Sequence, residues 1–246
     1  MERSGARYRI AGRIIEIAGL YPDIHALCAD YRAEGAVDFA VETAQADIDF
    51  ERVKSARADT LAGIPTRHFP DGYLETLAVC RKIAERMPDY DTVLFHGSCV
   101  AVDGVGYLFT AKSGTGKSTH TRLWRELFGT RAVMVNDDKP MIRLTDNGAE
   151  ACGTPWNGKH RLSSNIAVPL KAICILERAE QNVIRPVTET EAYPMLLQQT
   201  YRPADAAAMA KTLTLTDRLA ASVSLWRLGC NMEPEAARVA YDAMKG

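Results

Sequence analysis

Eight consecutive residues carry the most specific chemistry in the chain: Ala111-Lys112-Ser113-Gly114-Thr115-Gly116-Lys117-Ser118. Glycines in such a loop let the backbone wrap so that successive N–H groups point inward and cradle phosphate oxygens. A lysine at 117 reaches the terminal phosphates of a nucleotide, and a serine hydroxyl at 118 holds Mg²⁺. Ser113, Gly114, Thr115, Gly116, Lys117, Ser118 and Thr119 are therefore the candidate nucleotide-binding residues, with ATP and Mg²⁺ as the implied cofactors. The motif ordinarily opens on glycine. Ala111 stands there instead, which a negative φ would tolerate.

A second group is Asp137-Asp138, separated from Ser118 by 137 − 118 = 19 positions, room for one helix and one returning strand. A carboxylate at the end of the next strand is where phosphoryl transfer needs its base or its metal ligand. Two adjacent aspartates can divide these tasks: one orients or deprotonates the attacking hydroxyl, the other holds Mg²⁺ directly or through water. The plainer alternative is an Asx turn with solvated carboxylates. A third group is His96-Gly97-Ser98. A histidine on an apolar strand is usually a core residue, but this one precedes the loop in the same hairpin and could face the site. A fourth is Lys159-His160-Arg161 on a Gly/Pro-rich stretch, where Lys159 and Arg161 could close over phosphates and a solvated basic loop is the alternative. His120 is placed to touch the nucleotide or to lie in solvent.

These residues need elements to position them. Residues 107–110 form an apolar strand leading into the loop, and 119–128 a helix leading out, with Leu123/Leu127 and Trp124/Phe128 as i, i+4 pairs. Asp103-Gly104 between apolar runs at 93–102 and 105–110 predicts a hairpin. Strands are predicted at 131–135, 141–144, 149–152, 172–176, 183–186 and 225–228. Helices are predicted from a Thr190 cap through Gln199, over 205–221 and from Pro234 to Met244. Upstream, residues 8–17 read as one strand with a bulge at Gly12, 20–33 as a short helix or turn, and 37–41 and 48–50 as short strands. Residues 73–87 form a helix whose stripe is Tyr73, Leu77, Cys80, Ala84 and Met87, with Asp71 or Gly72 capping its start. The expected architecture is α/β: a mixed twisted sheet over residues 89–246 with the phosphate loop at a strand end, preceded by a small β-rich region over 1–88.

Composition bounds the function. Hydrophobic residues make up 47% and charged residues 25%, ordinary for a soluble globular protein, and 30 basic against 31 acidic side chains give a net charge of −1. That balance argues against a general nucleic-acid or membrane surface. The six cysteines form no C-x-x-C pair and read as free thiols. The start lacks the apolar run of a signal peptide, so a cytoplasmic location is expected.

The run from His96 to Asp138 (a His-Gly step, a hairpin turning on Asp-Gly, a Ser-Gly-x-Gly-Lys-Ser loop and a strand ending in Asp-Asp) resembles the catalytic core of bacterial HPr kinase/phosphorylases. That core is related to the nucleotide domain of phosphoenolpyruvate carboxykinases. The likeness spans roughly residues 94–176, and the segments 136–140 and 153–156 are similar to those of a subgroup of small HPr-kinase-like proteins. The resemblance implies an HPr kinase C-terminal-domain fold and an ATP- and Mg²⁺-dependent kinase acting on a hydroxyl, serine in the best-known members. It implies Asp137 as general base and Asp138 as metal-associated carboxylate, with the two roles exchangeable, and His96 beside that base. It implies assembly into homo-oligomers. Two positions depart from the pattern: Ala111, and Thr119 where the family carries a glutamate. The acceptor stays open among peptide, protein and small metabolite. Carboxykinase-like chemistry on an oxoacid, or a nucleotide-binding regulator without turnover, are the competing readings.

Overall fold

The structure, a computed structural model, describes residues 4–246. The chain divides into two units, Met1–Ala84 and Glu85–Gly246. In the first, β1 (Ser4–Ile10) and β2 (Arg13–Gly19) pair antiparallel, and β3 (Phe39–Glu42) lies parallel beside β2. Helices α1 (Pro22–Leu27), α2 (Gln45–Leu61) and α3 (Asp71–Arg86) accompany them.

Four sequence expectations change here. The single strand at 8–17 is a hairpin, because Ala11 and Gly12 both take positive φ, 47° and 81°. That is the type I′ geometry that matches strand twist. Alanine does not advertise such a turn. The strand expected at 48–50 lies inside α2, whose start is held by the Ala44 N–H donating to Asp47 Oδ2. Of the expected stripe, Cys80, Ala84 and Met87 are buried, Leu77 is half-buried and Tyr73 is exposed, and the buried side widens to Leu74, Ala78, Val79 and Ile83. Neither Asp71 nor Gly72 caps this helix: both lie inside it, and the Leu74 N–H donates to the Pro70 carbonyl. Glu75, fully buried, accepts the N–H groups of Leu20 and Tyr21 and the Thr43 hydroxyl, so the buried carboxylate is satisfied.

The second unit opens with β4 (Thr92–Leu94), β5 (Ser98–Val102) and β6 (Val105–Thr110), followed by α4 (Lys117–Phe128) and β7 (Ala132–Asn136). Then come β8 (Met141–Thr145), β9 (Gly148–Cys152), β10 (Ala167–Arg178), β11 (Val183–Pro186), α5 (Glu189–Gln199), α6 (Ala206–Ser222), β12 (Ser224–Cys230) and α7 (Glu235–Met244). The strands form one mixed sheet in the order β4-β8-β9-β10-β6-β5-β7, with β12 beside β10 and β11 beyond it. The hairpin at Asp103-Gly104 forms as expected, but the run 93–102 is two strands: β4 pairs with β8, and β5 with β6 and β7. Strand β10 is far longer than the predicted 172–176. Its Ala167–Pro169 end pairs antiparallel with β9, and from Ala172 onward it pairs parallel with β12. A register shift between Leu170 and Ala172, just past Pro169, marks the handover and curls the sheet.

Alternation along the strands sends side chains to two cores. Leu108, Ile173 and Ile175 face α5 and α6 through Leu196, Leu215 and Leu219. Tyr107, Phe109 and Cys174 face α4 and α7 through Trp124, Ala237 and Met244. Helix α5 is capped by Thr188, whose hydroxyl accepts the Glu191 N–H, rather than by Thr190; Pro194 sits in its second turn. Five of the six thiols are buried. No helix among the described residues is long and apolar enough to cross a membrane.

Trp124 fixes α4 to the sheet. Its ring is fully buried against Phe109, Tyr107, Phe128 and Tyr241, with centroids 4.9–5.6 Å away. Trp124→Ala is expected to cost about 3–5 kcal/mol by urea unfolding. The half-buried Leu127→Ala should cost well under half of that; equal losses would remove the special role given to Trp124.

Candidate functional site

The loop 111–116 joins the end of β6 to the start of α4. Gly114 and Gly116 take φ of 77° and 120°, and a Cβ at either would meet nothing within 4 Å. These residues are glycine for backbone conformation, not for space. Positive φ among non-glycine described residues is confined to Ala11, Asp91, Asp103 and Arg161. Ala111 therefore keeps an ordinary φ, and its methyl is buried in the core shared with Trp124. The first bond of α4 runs from the His120 N–H to the Gly116 carbonyl, with no side chain capping the end. That leaves the N–H groups of Lys117, Ser118 and Thr119 directed outward, at the positive end of the helix. Lys117 Nζ donates to the Ala111 carbonyl at 3.2 Å, and Arg178 holds the loop tip through the Gly114 carbonyl at 2.6 Å. Burial pushes the Lys117 ammonium below its ordinary pKa, against the pull of Asp138 and Asp137.

The aspartate pair follows β7. Asn136 shapes the turn: its Oδ1 accepts the N–H groups of Asp138 and Lys139, and its Nδ2 donates to Thr154. An Asx turn is thus present, built by Asn136 rather than by either aspartate. Asp137 is buried and accepts the Ser98 hydroxyl at 2.7 Å, and Ser98 in turn meets Thr121 Oγ1 of α4 at 2.8 Å. Asp138 is more open and lies 3.6 Å from His96 Nε2 and 3.3 Å from Lys139 Nζ.

His96 sits in the break between β4 and β5. Its N–H donates to the Gln199 carbonyl and its Nδ1 meets Gln199 Oε1 at 2.8 Å. A carbonyl oxygen only accepts, so Nδ1 carries the hydrogen and Nε2 presents its lone pair toward Asp138. Burial holds the His96 pKa below its ordinary 6.5; Lys117 pushes the same way and Asp138 opposes.

A cleft of about 580 Å³ brings these groups together: His96, Lys117, Ser118, Asp137 and Asp138 all line it, as do Ser113, Gly114, Gly116 and Thr119. Thr115 does not line it; its hydroxyl turns back to the Lys112 carbonyl. Of the basic loop, Gly158, Lys159 and His160 line the cleft, while Arg161 is exposed and lies outside the lining, at φ 52°. Gly158 packs so that a Cβ would lie 3.0 Å from that of Asp138. His120 lies neither in the cleft lining nor in solvent. It is 2% exposed, its Nε2 accepts the Trp124 indole N–H, and burial drops its pKa to about 3.

Sequence reasoning missed Gln199, which carries no motif, and gave no individual role to Asn136 and Thr154 within the segments 136–140 and 153–156. It also missed Arg122 and Arg125, which line the cleft from α4. Helical spacing from Ser118 could have found those two. Among the described residues no group of three or more His, Cys, Asp or Glu is arranged to hold a metal. Two carboxylates and the Ser118 hydroxyl beside an uncapped helix start do fit Mg²⁺, which keeps several waters and takes few protein ligands.

No curated protein matches this chain. The Hpr(Ser) kinase/phosphatase from Coxiella burnetii is a solved structure similar to it at 12% identity and a TM-score of 0.37, covering 62% of this chain and 99% of that one. The model of SynChlorMet cassette protein ScmC matches residues 72–221, more than half of the sequence, and the chain belongs to the ScmC family.

Proposed function

We propose that this protein is a kinase that transfers the γ-phosphoryl group of MgATP to a hydroxyl. One observation carries the reading: His96, the Asp137-Asp138 pair and the loop ending in Lys117-Ser118 line a single cleft although they come from separate parts of the chain. The open N–H groups at the start of α4 fit the phosphates, and Lys117 would swing from the Ala111 carbonyl onto the terminal ones.

Geometry favours the exchanged division of labour between the aspartates. Asp137 is buried and tied through Ser98 and Thr121 to the first turns of α4, which suits a fixed carboxylate beside Ser118. Asp138 opens to the cleft and faces the His96 lone pair, which suits a base. Ser118 and Asp137 would hold Mg²⁺, which when bound supplies charge neutralisation across the β- and γ-phosphates. The acceptor oxygen bonds to the γ-phosphorus as the bond from phosphorus to the β-bridging oxygen breaks, and ADP leaves. The hydroxyl proton passes to Asp138, with His96 Nε2 close enough to share it. Lys159, on the loop across the cleft, is placed to offset charge on the transferred group.

Asp138→Asn is expected to lower kcat about 10²–10⁴-fold while leaving MgATP affinity within threefold. Lys117→Ala should instead weaken MgATP binding at least tenfold by calorimetry. Incubation with MgATP and serine-containing peptides or free serine, followed by mass, supplies the activity. ATP binding with no acceptor phosphorylated and no effect of Asp138→Asn would leave a regulator instead.

The pH profile follows from His96. Its pKa lies below 6.5, so the imidazole is neutral at pH 7 and gains its proton only as the pH falls. Activity is therefore retained through neutrality and lost toward acid. In kcat/KM for MgATP, which reports the free enzyme, the acid limb should have its midpoint below pH 6.5 and should change in His96→Asn. A limb above 6.5 that persists in the variant would exclude His96 from the mechanism.

A further inference from the structure

The triphosphate accounts for only one end of the cleft. Arg122 and Arg125 follow Ser118 at i+4 and i+7, on one face of α4, and both line the cavity. At 1.5 Å per residue they stand about 6 and 10 Å down the helix axis from Ser118, away from the N–H groups that hold phosphates. Arg122 is exposed and pairs with Glu126 one turn on. Arg125 is more telling: its Nε is buried and makes no hydrogen bond. A buried guanidinium donor without a partner is uncommon. Across the cleft stand Lys159 and His160. The two carboxylates of the cleft are already engaged, Asp137 with Ser98 and Asp138 beside His96 and Lys139.

From these residues we infer that the α4 side of the cleft is a subsite for an anionic group, a carboxylate or a phosphate, carried by the acceptor itself. Resting on the kinase reading above, this makes the acceptor a hydroxy acid or phosphorylated alcohol rather than a neutral sugar or polyol. Arg125 and Arg122 supply planar donor pairs that match either anion. The anion would lie a few bonds from the hydroxyl that meets Asp138, so the arginines would also fix how that oxygen is aimed.

The test uses the full-length protein, MgATP and matched acceptors: glycerate and glycerol 3-phosphate against glycerol, and N-acetylserine against N-acetylserinamide. The anionic member of a pair should be phosphorylated with kcat/KM at least tenfold higher, and the better of glycerate and glycerol 3-phosphate names the anion. Arg125→Gln and, independently, Arg122→Gln should raise KM for that acceptor at least tenfold while the Kd of MgATP stays within twofold. Equal use of charged and neutral members overturns the subsite, and so does a variant that loses MgATP affinity instead. If nothing is phosphorylated, the kinase reading fails by itself and the subsite is read directly, by calorimetry of the protein loaded with Mg²⁺ and a non-hydrolysable ATP analogue. Binding of inorganic phosphate that is lost in Arg125→Gln supports it, and absence of binding to the wild type overturns it.

Discussion

Gly97 is the constraint on which the site depends. Its N–H donates to the Asp138 carbonyl at 3.1 Å, and a Cβ there would fall 2.9 Å from Leu108 Cδ1 and 3.0 Å from the Phe109 carbonyl oxygen. Without a side chain this residue can lie close against β6 while its N–H reaches Asp138, distant in sequence. The neighbouring bonds, Phe95 N–H to the Pro140 carbonyl and His96 N–H to the Gln199 carbonyl, extend the seam on one side. Together they carry the chain from β4, which pairs with β8, to β5, which lies between β6 and β7. His96 belongs to the interruption itself, so its ring is free to enter a cleft instead of alternating into a core.

Around that seam the rigid parts and the chemical parts are separated. Trp124 and its aromatic neighbours lock α4 onto the face of β6, and the sheet fixes where the loop before α4 begins. The Ser98 hydroxyl on β5 then joins Asp137, just past β7, to Thr121 of the same helix. Most of the cleft-lining side chains stand beside strand ends or at the start of α4, next to that packed frame. Glycine at 153 has a similar function: a Cβ would lie 1.9 Å from the Ser164 carbonyl oxygen, so the segment after β9 can pass close to β7 and present Gly158 to Asp138.

What was legible in the sequence follows the range of the signals. The loop, the Asp-Gly hairpin, the apolar pairs of α4 and the strand leading to Asp137-Asp138 are written in adjacent residues, and each appears near its expected place. The hairpin at Ala11-Gly12 and the helical state of Ile48 were not legible, because an alanine in a type I′ turn and a polar helix with few apolar repeats both lack local markers. The length of β10 was hidden by Pro169, which ends a strand by rule but here marks the point where one partner is exchanged for another. His120 was misread for a related reason. Its position in the first turn of α4 suggested the ligand, whereas its rotation about the helix sends it beneath Trp124. Gln199 could not be found at all from its neighbours, since its only qualification is to lie beside His96 after more than a hundred residues of intervening chain.

Charge completes the logic of the cleft. The whole chain is nearly neutral, yet the cavity gathers Lys117, Arg122, Arg125 and Lys159 around two aspartates. Desolvation lowers the pKa of both Lys117 and His96, and Lys117 is itself a cause of the shift at His96. An anion seated on the start of α4 opposes both effects, since it stabilises the lysine cation and screens the imidazole from it. On the kinase reading proposed above, a polyphosphate seated there would raise the proton affinity of His96 and make the group beside Asp138 a better proton acceptor. On that reading, proton transfer and donor binding would be linked through Lys117, which is already a cause of the shift at His96.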